Sequence, residues 1–399
     1  MRKFLLWFLL LLTLAGCRKI DPAQLPSATS VPQDTSLEET ADTASTTAPP
    51  LETPAPQSVT ISMVGDVLLH EPVTESGHMT DGSWQYGHLF QNVQKEIEAA
   101  DVAIVNQEVI LGGRALGLSG YPNFNGAFEV GDAIADAGFD VVLHATNHAL
   151  DKKEAGVKNC LEFWRANHPE MAVLGIYDSP ETRDAVYVRE VNGIRIAILN
   201  YTYGTNGMTL PAGSSYGVNM LEESRVRADL ASAAAQADFV IVAPHWGTEY
   251  TLEPDASQKR WTRIFYECGA DLVIGTHPHV IQPVEIITGE KGDMLVYYSL
   301  GNFVNATAET GSGIANRMVG AMAQITVTMD DQGDAHISDY GVLPLITHIQ
   351  TGPGQITTYK LSDYTQAMAE ENEICKSDPS FSLKYCQDLC RKVFGNLSY

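Results

Sequence analysis

The sequence has no apolar run long enough for a conventional transmembrane helix, which needs about 20 residues; its one strongly apolar stretch is Phe4–Gly16. It is also poor in basic charge, with 25 Lys and Arg against 49 Asp and Glu and a formal net charge of −24. That balance excludes general nucleic-acid binding, which needs a basic footprint. A polyanionic ligand would be repelled at long range, so its capture requires a local cationic site. Arg114 and Arg260 are the candidates for that role. Cysteine is scarce, six in 399 residues, and no pair has C-x-x-C spacing. A zinc ribbon or dithiol redox motif is therefore unsupported. There is no internal repeat. What is present is a 44% hydrophobic share, enough for a sizeable core and too much for wholesale disorder.

The first residues, "MRKFLLWFLLLLTLAGC", combine Arg2 and Lys3, an apolar run, and small residues directly before Cys17. This reads as a signal peptide over 1–17, and its last four residues look like a lipobox. The expectation is lipidation at Cys17 and anchoring at the extracytoplasmic face of a bacterial membrane. Residues 18–57 are rich in Ser, Thr, Pro and acidic residues, a composition that suits a disordered tether.

From residue 58 the texture changes. β-Branched apolar runs such as "SVTISMVGDVLL", "DVAIVNQEVI", "DFVIVAPHWG" and "DLVIGTHPHV" alternate with amphipathic stretches such as "ASQKRWTRIFYECGAD". Continuous apolar runs suit strands buried on both faces. Their alternation with helices predicts an α/β domain over 58–350. "AMAQITVTMDDQGDAHISDYGVLPLIT" predicts two antiparallel strands turning at "DDQGD". Residues 351–399 read as a helical C-terminal extension, where a disulfide among Cys375, Cys386 and Cys390 is possible.

The strand ends carry the chemistry. Asp66 with His70, Asn106 with Glu108, Asn147 with His148, His245 with Glu249, His277 with His279, and Asn302 each follow an apolar run. In α/β sheets, ligand sites lie beyond the carboxyl ends of the strands. Each residue alone is bland: a lone Asp after Gly is usually a turn residue, and a lone His near a core is usually structural. His78, His88, His144, His168, His336 and His348 fit that bland reading. The joint set of imidazole, carboxylate and amide oxygen suits Mn, Zn, Fe or a similar divalent ion. It contains no thiolate, which disfavours a structural zinc site.

These residues sit in recognisable motifs. "GDVLLH", "NQEVIL", "ATNHALD", "PHWGTEY", "GADLVIGTHPHVIQPVE" and "YYSLGNF", within about residues 59–305, resemble the CapA-type capsule-synthesis proteins. That family is associated with poly-γ-glutamate capsule biosynthesis and is related to calcineurin-like metallophosphoesterases. The resemblance implies a four-layer αββα sandwich with two divalent metals at its edge. It implies metal-binding roles for Asp66, Glu108, Asn147, His245, His277 and His279, with Glu108 bridging, and a general-acid role for His148. His70, Asn106, Glu249 and Asn302 are expected to contact substrate. Two departures stand out: Asp66-Val67-Leu68 replaces the usual Asp-x-His, and Glu108 replaces a bridging Asp.

The reading implied is a lipid-anchored protein of capsule or poly-γ-glutamate synthesis or export. It would act on or hold an anionic polymer or a small-molecule substrate, beside polymer-synthase membrane subunits. The alternatives are a non-catalytic export scaffold and a general surface metallophosphoesterase.

Overall fold

The computed structural model describes residues 57–395 and Leu397. The signal segment, the Cys17 lipidation site and nearly all of the tether lie outside the described residues. No helix among the described residues is long and apolar enough to cross a membrane.

The chain begins with β1 (Ser58–Val67), α1 (Glu71–Ser76), α2 (Gln94–Glu98), β2 (Val102–Gln107), α3 (Phe128–Asp136), β3 (Val141–Leu143) and α4 (Lys153–Asn167). It continues through β4 (Ala172–Leu174), β5 (Ile176–Tyr177), α5 (Pro180–Asp184), β6 (Tyr187–Val191), β7 (Ile194–Thr202) and β8 (Gly217–Val218). Next come α6 (Glu223–Ala234), β9 (Phe239–His245), α7 (Ala256–Glu267), β10 (Leu272–Ile274), β11 (Val284–Gly289) and β12 (Gly292–Tyr297). The last elements are β13 (Asn302–Val304), β14 (Val319–Met329), β15 (Ala335–Ile349), β16 (Ile356–Lys360), α8 (Gln366–Glu371), α9 (Ile374–Ser377) and α10 (Leu383–Phe394).

Two sheets hold the structure together. One has eight strands in the order β16-β15-β14-β1-β2-β3-β4, with β13 pairing alongside β1. The other has six, β11-β12-β10-β9-β7-β6. β5 and β8 form a small separate pair. In β9 every residue is buried, and alternation shows why. Phe239, Ile241 and Ala243 join the core shared with the eight-stranded sheet. Val240 and Val242 join a second core with Val226 and Leu230 of α6 and Trp261 and Phe265 of α7. On the far side, Val130 and Ile134 of α3 and Val157 and Trp164 of α4 complete the first core. The layers are therefore helix, sheet, sheet, helix, the expected αββα sandwich. α7 starts where Asp255 and Gln258 cap each other, at 2.8 and 3.0 Å, a reciprocal box that satisfies two otherwise unpaired N–H groups.

At the C-terminus the expected helical tail is present as α8, α9 and α10, but its boundary departs from expectation. The turn at 330–334 does join antiparallel strands, β14 and β15, but the sheet does not stop at residue 350. β16 pairs antiparallel with β15 and forms the sheet edge. Phe381, Cys386, Leu389 and Phe394 enter the main core. The boundary expected at 350/351 therefore falls inside one packed unit. The polar "TGPG" turn and the short strand after it read as the start of an extension because a five-residue edge strand carries little pattern. All five cysteines among the described residues are free, so the disulfide left possible among Cys375, Cys386 and Cys390 is not formed. Cys386 and Cys390 instead pack as small apolar groups.

Candidate metal centre

Within the sheets, β1, β2, β3 and β4 run parallel, as do β7, β9, β10 and β12. Their carboxyl ends meet at one edge. Asp66 is set there by a close backbone crossing. A Cβ on Gly65 would lie 1.9 Å from the carbonyl oxygen of Gly301, so only glycine fits. The crossing brings Asp66 beside Asn302. Asp66 is fully buried and well partnered. Its Oδ1 accepts from Asn106 Nδ2 at 2.8 Å, and its Oδ2 accepts from the His277 backbone N–H at 3.3 Å and lies 3.1 Å from His279 Nδ1.

Glu108 is the opposite case. It is fully buried, yet neither carboxylate oxygen has a hydrogen-bond partner. A bare buried carboxylate is costly unless a cation or a donor completes it. Its Oε1 stands 3.6 Å from His279 Nε2 and 3.8 Å from His245 Nε2. Both distances are too long for hydrogen bonds. They are near the roughly 3.4 Å between two ligands that each lie about 2.1 Å from a tetrahedral ion. Donor atoms of Glu108, His245 and His277 lie within 4.8 Å of one another, as do those of Asp66, Glu108 and His279, and those of Glu249, His277 and His279. Glu108 belongs to two of these three groupings. His277 Nδ1 is likewise buried and unpartnered. The residues fit a divalent cation.

The electrostatics divide the three histidines. Burial raises the Glu108 carboxyl well above its usual range, against the pull of His279. Burial also opposes charge on His279, but Glu108 and Asp66 outweigh it and hold that ring up at about 9. His245 and His277 are pushed far below their ordinary value, first by burial and then by neighbouring histidines. They are neutral imidazoles, the form that binds metal.

The "THPHV" turn delivers two rings from one loop at a conformational cost. His277 has φ +99° and His279 φ +58°, both on the left-handed side that non-glycine residues seldom adopt. Tyr250, at φ +64°, braces the turn by donating its N–H to the Pro278 carbonyl at 2.8 Å. Strain of this kind persists only where the surroundings over-determine it. His245 is fixed in turn by Thr276 Oγ1, 3.0 Å from its Nδ1, and by Asn147 Oδ1, 2.8 Å from its Nε2.

Above this floor lies a cleft of about 600 Å³. Asn147, His148, Glu249 and His70 border it. His148 Nδ1 is 2.7 Å from Asp151 Oδ2, which also accepts from the Phe124 N–H at 2.7 Å. That arrangement orients the ring and leaves Nε2 available. His70 Nδ1 accepts from the Ala306 N–H at 3.3 Å, so the ring is the Nε2–H tautomer. Burial, then His279 and Arg317, lower its pKa to about 3. His70 stays out of the three donor groupings. Asn106 and Asn302 do not border the cleft. Asn106 holds Asp66, and Asn302 Oδ1 lies 3.0 Å from His279 Nδ1. Both stand behind the donor cluster rather than on the cleft surface. Glu249, expected as a substrate contact, also offers a donor atom to the cluster.

Arg114 and Arg260 are not at this cleft. Arg114 pairs with Glu129 and Arg260 with Glu223, both on the exposed surface. The cation of the cleft is Arg317, missed because it lies beyond every motif. Asp151 was legible as the fourth residue of "HALD", one turn past His148. His144 is structural, as its isolation suggested: its Nε2 accepts from Trp164 Nε1 at 3.1 Å.

Fold and site together define a two-sheet sandwich protein with a buried cluster of metal-capable side chains at the sheet edge. Residues 60–307 match the family model described as "Bacterial capsule synthesis protein PGA_cap", and the chain belongs to that family. It is similar to the PGA biosynthesis protein CapA of Bacillus subtilis (strain 168), 33% identical over 183 residues, 43% of this chain and 44% of that protein. It is also similar to the capsule biosynthesis protein CapA of Bacillus anthracis, 26% identical over 258 residues, 62% of this chain and 60% of that one. The chain thus spans less than two thirds of the length of each of these relatives. A more distant likeness is to the Haemophilus influenzae NAD nucleotidase NadN, with 11% identity and a TM-score of 0.44 over 86% of this chain and 65% of that one.

Proposed function

We propose that this chain acts in capsule or poly-γ-glutamate synthesis or export. In this reading it is anchored through Cys17 at the extracytoplasmic membrane face and works on an anionic polymer beside membrane-bound synthase subunits. The observation that carries the metal-dependent part is Glu108, buried without a partner and shared by two donor groupings. A shared carboxylate is what two adjacent ions require. Glu108, His245 and His277 with Asn147 would hold one ion, and Asp66, Glu108 and His279 the other, of Mn, Zn or Fe type. Such ions supply Lewis-acid polarisation of a substrate oxygen.

The chain's own residues supply the rest. Asp151 fixes the His148 ring with Nε2 toward the cleft, where it delivers a proton to a leaving group. Asn106 and Asn302 position Asp66 and His279. The reaction class is hydrolysis or transfer at a phosphoester or amide. The test is product formation by the metal-loaded full chain from a phosphodiester and from a γ-linked glutamate oligomer. One substrate should turn over, and His148→Ala should slow it at unchanged metal content. No product from either, with normal polymer output from cells carrying His148→Ala, would contradict the catalytic reading and favour a scaffold.

A further inference from the structure

Part of the cleft's lining lies beyond the family match, which ends at residue 307. It is built from the irregular segment after β13 and from Arg317. Arg317 is the sole lysine or arginine among the described residues that line the cleft. Its side chain is nearly buried, at 11% exposure. Its guanidinium carbon sits 3.5 Å from the centroid of the Tyr250 ring. That stacking fixes the plane of a fork suited to two-point binding of a carboxylate or phosphate. One arm, Nη2, is taken by the chain's own Glu309, which accepts from it at 2.7 Å; the other, Nη1, reaches Thr307 Oγ1 at 3.4 Å. Glu309 differs from its partner in exposure, at 63%. It stands outside any helix or strand, so rotation of one side chain clears the guanidinium.

We propose that Arg317 is the anion-recognition residue of this cleft, and that Glu309 is an internal carboxylate occupying it until a substrate anion takes its place. The inference rests on the reading of the cleft as the substrate site. It reconciles an acidic protein with an anionic ligand, because one stacked, nearly buried arginine is the local cationic site that the overall charge demands. The ligand class is an anion with a planar or tetrahedral oxyanion group, a γ-linked glutamate chain or a phosphate ester. Glu309 presents the same carboxylate that each unit of such a glutamate chain carries. It therefore sets a threshold: weak monovalent anions do not displace it, and a chain of carboxylates does.

The experiment is calorimetric titration of the metal-loaded full chain with a γ-linked glutamate trimer and, separately, with inorganic phosphate. It compares wild type, Glu309→Gln, Arg317→Gln and the double variant, with metal content measured on each sample. Glu309→Gln keeps the exposed side chain's size and should tighten binding of at least one probe by about threefold, the scale of a partly exposed ion pair. Arg317→Gln should weaken it by tenfold or more, since a desolvated charge contact is lost. In the double variant the gain from Glu309→Gln should vanish, because its target is gone. The trimer gaining more than phosphate would identify the glutamate chain as the source of the anion; the reverse would identify a phosphate ester. Unchanged or weaker binding of both probes in Glu309→Gln would overturn the inference, as would a gain that survives in the double variant. Wild type without bound metal would instead count against the proposed function, and the Arg317 and Glu309 comparison would still be read from probe binding.

Discussion

The floor of the cleft and its wall are built on opposite plans. The floor is assembled from the ends of strands in both sheets, fully buried, and incomplete: Glu108 and His277 present buried polar atoms without partners. The wall is irregular and half-exposed, and it satisfies itself, with Glu309 on Arg317 and Arg317 on Tyr250. The floor needs something from outside to be complete. The wall must give up something of its own to accept a ligand. A rigid, unsatisfied floor suits a permanent cation, and a self-paired wall suits a ligand that comes and goes.

The largest effect expected is at Glu108. With divalent metal present, a chelator should lower the melting temperature of the wild type by roughly 5 °C or more, because an ion bound only by the folded state stabilises it by mass action. Glu108→Gln should lose most of that response. In chelator the two proteins should melt closer together, since the difference rests on the bound ion. Thermal melts with and without chelator check this, and an undiminished chelator response in Glu108→Gln would count against a metal held by Glu108.

Next in size is the His148–Asp151 pair, proposed to deliver a proton. His148→Ala should cost on the order of 10²–10⁴ in turnover, and Asp151→Asn a smaller factor, about tenfold, both with unchanged metal content. Steady-state rates read beside elemental analysis separate this from loss of the floor. Gly65→Ala comes third. The added methyl meets the Gly301 carbonyl at 1.9 Å, and relief of that overlap should cost about 1–3 kcal/mol and displace Asp66. Denaturant unfolding and metal titration measure both consequences. The smallest effect belongs to the wall. Tyr250→Ala should weaken phosphate binding only a few-fold, the scale of one cation–π contact, and leave metal content alone.

The same contrast explains what the sequence disclosed. The floor was legible because its residues lie at the ends of apolar strand runs and within short motifs: Asp66, Glu108, His245, His277 and His279 all meet at the expected edge. The α/β class followed from runs buried on both faces alternating with helices, and the αββα layering from the family resemblance. The wall was not legible. Arg317 and Glu309 lie in a segment without periodicity, and their role depends on how that segment folds back over a distant turn at Tyr250. Asn106 and Asn302 read as substrate contacts because amide side chains at strand ends suit either role; only the geometry, with Asn106 Nδ2 on Asp66 Oδ1, places them behind the cluster. The short edge strand β16 was hidden for a related reason, since five residues beside a glycine-rich turn carry no pattern of their own.

The central claim is that Glu108 would be shared by two divalent-ion sites. Its most direct test is elemental analysis of the full chain after reconstitution, beside Glu108→Gln with its fold verified by circular dichroism. The account predicts about two divalent ions per wild-type chain, and one or none in the variant. An unaltered metal content in Glu108→Gln, or no metal in the wild type, would contradict it.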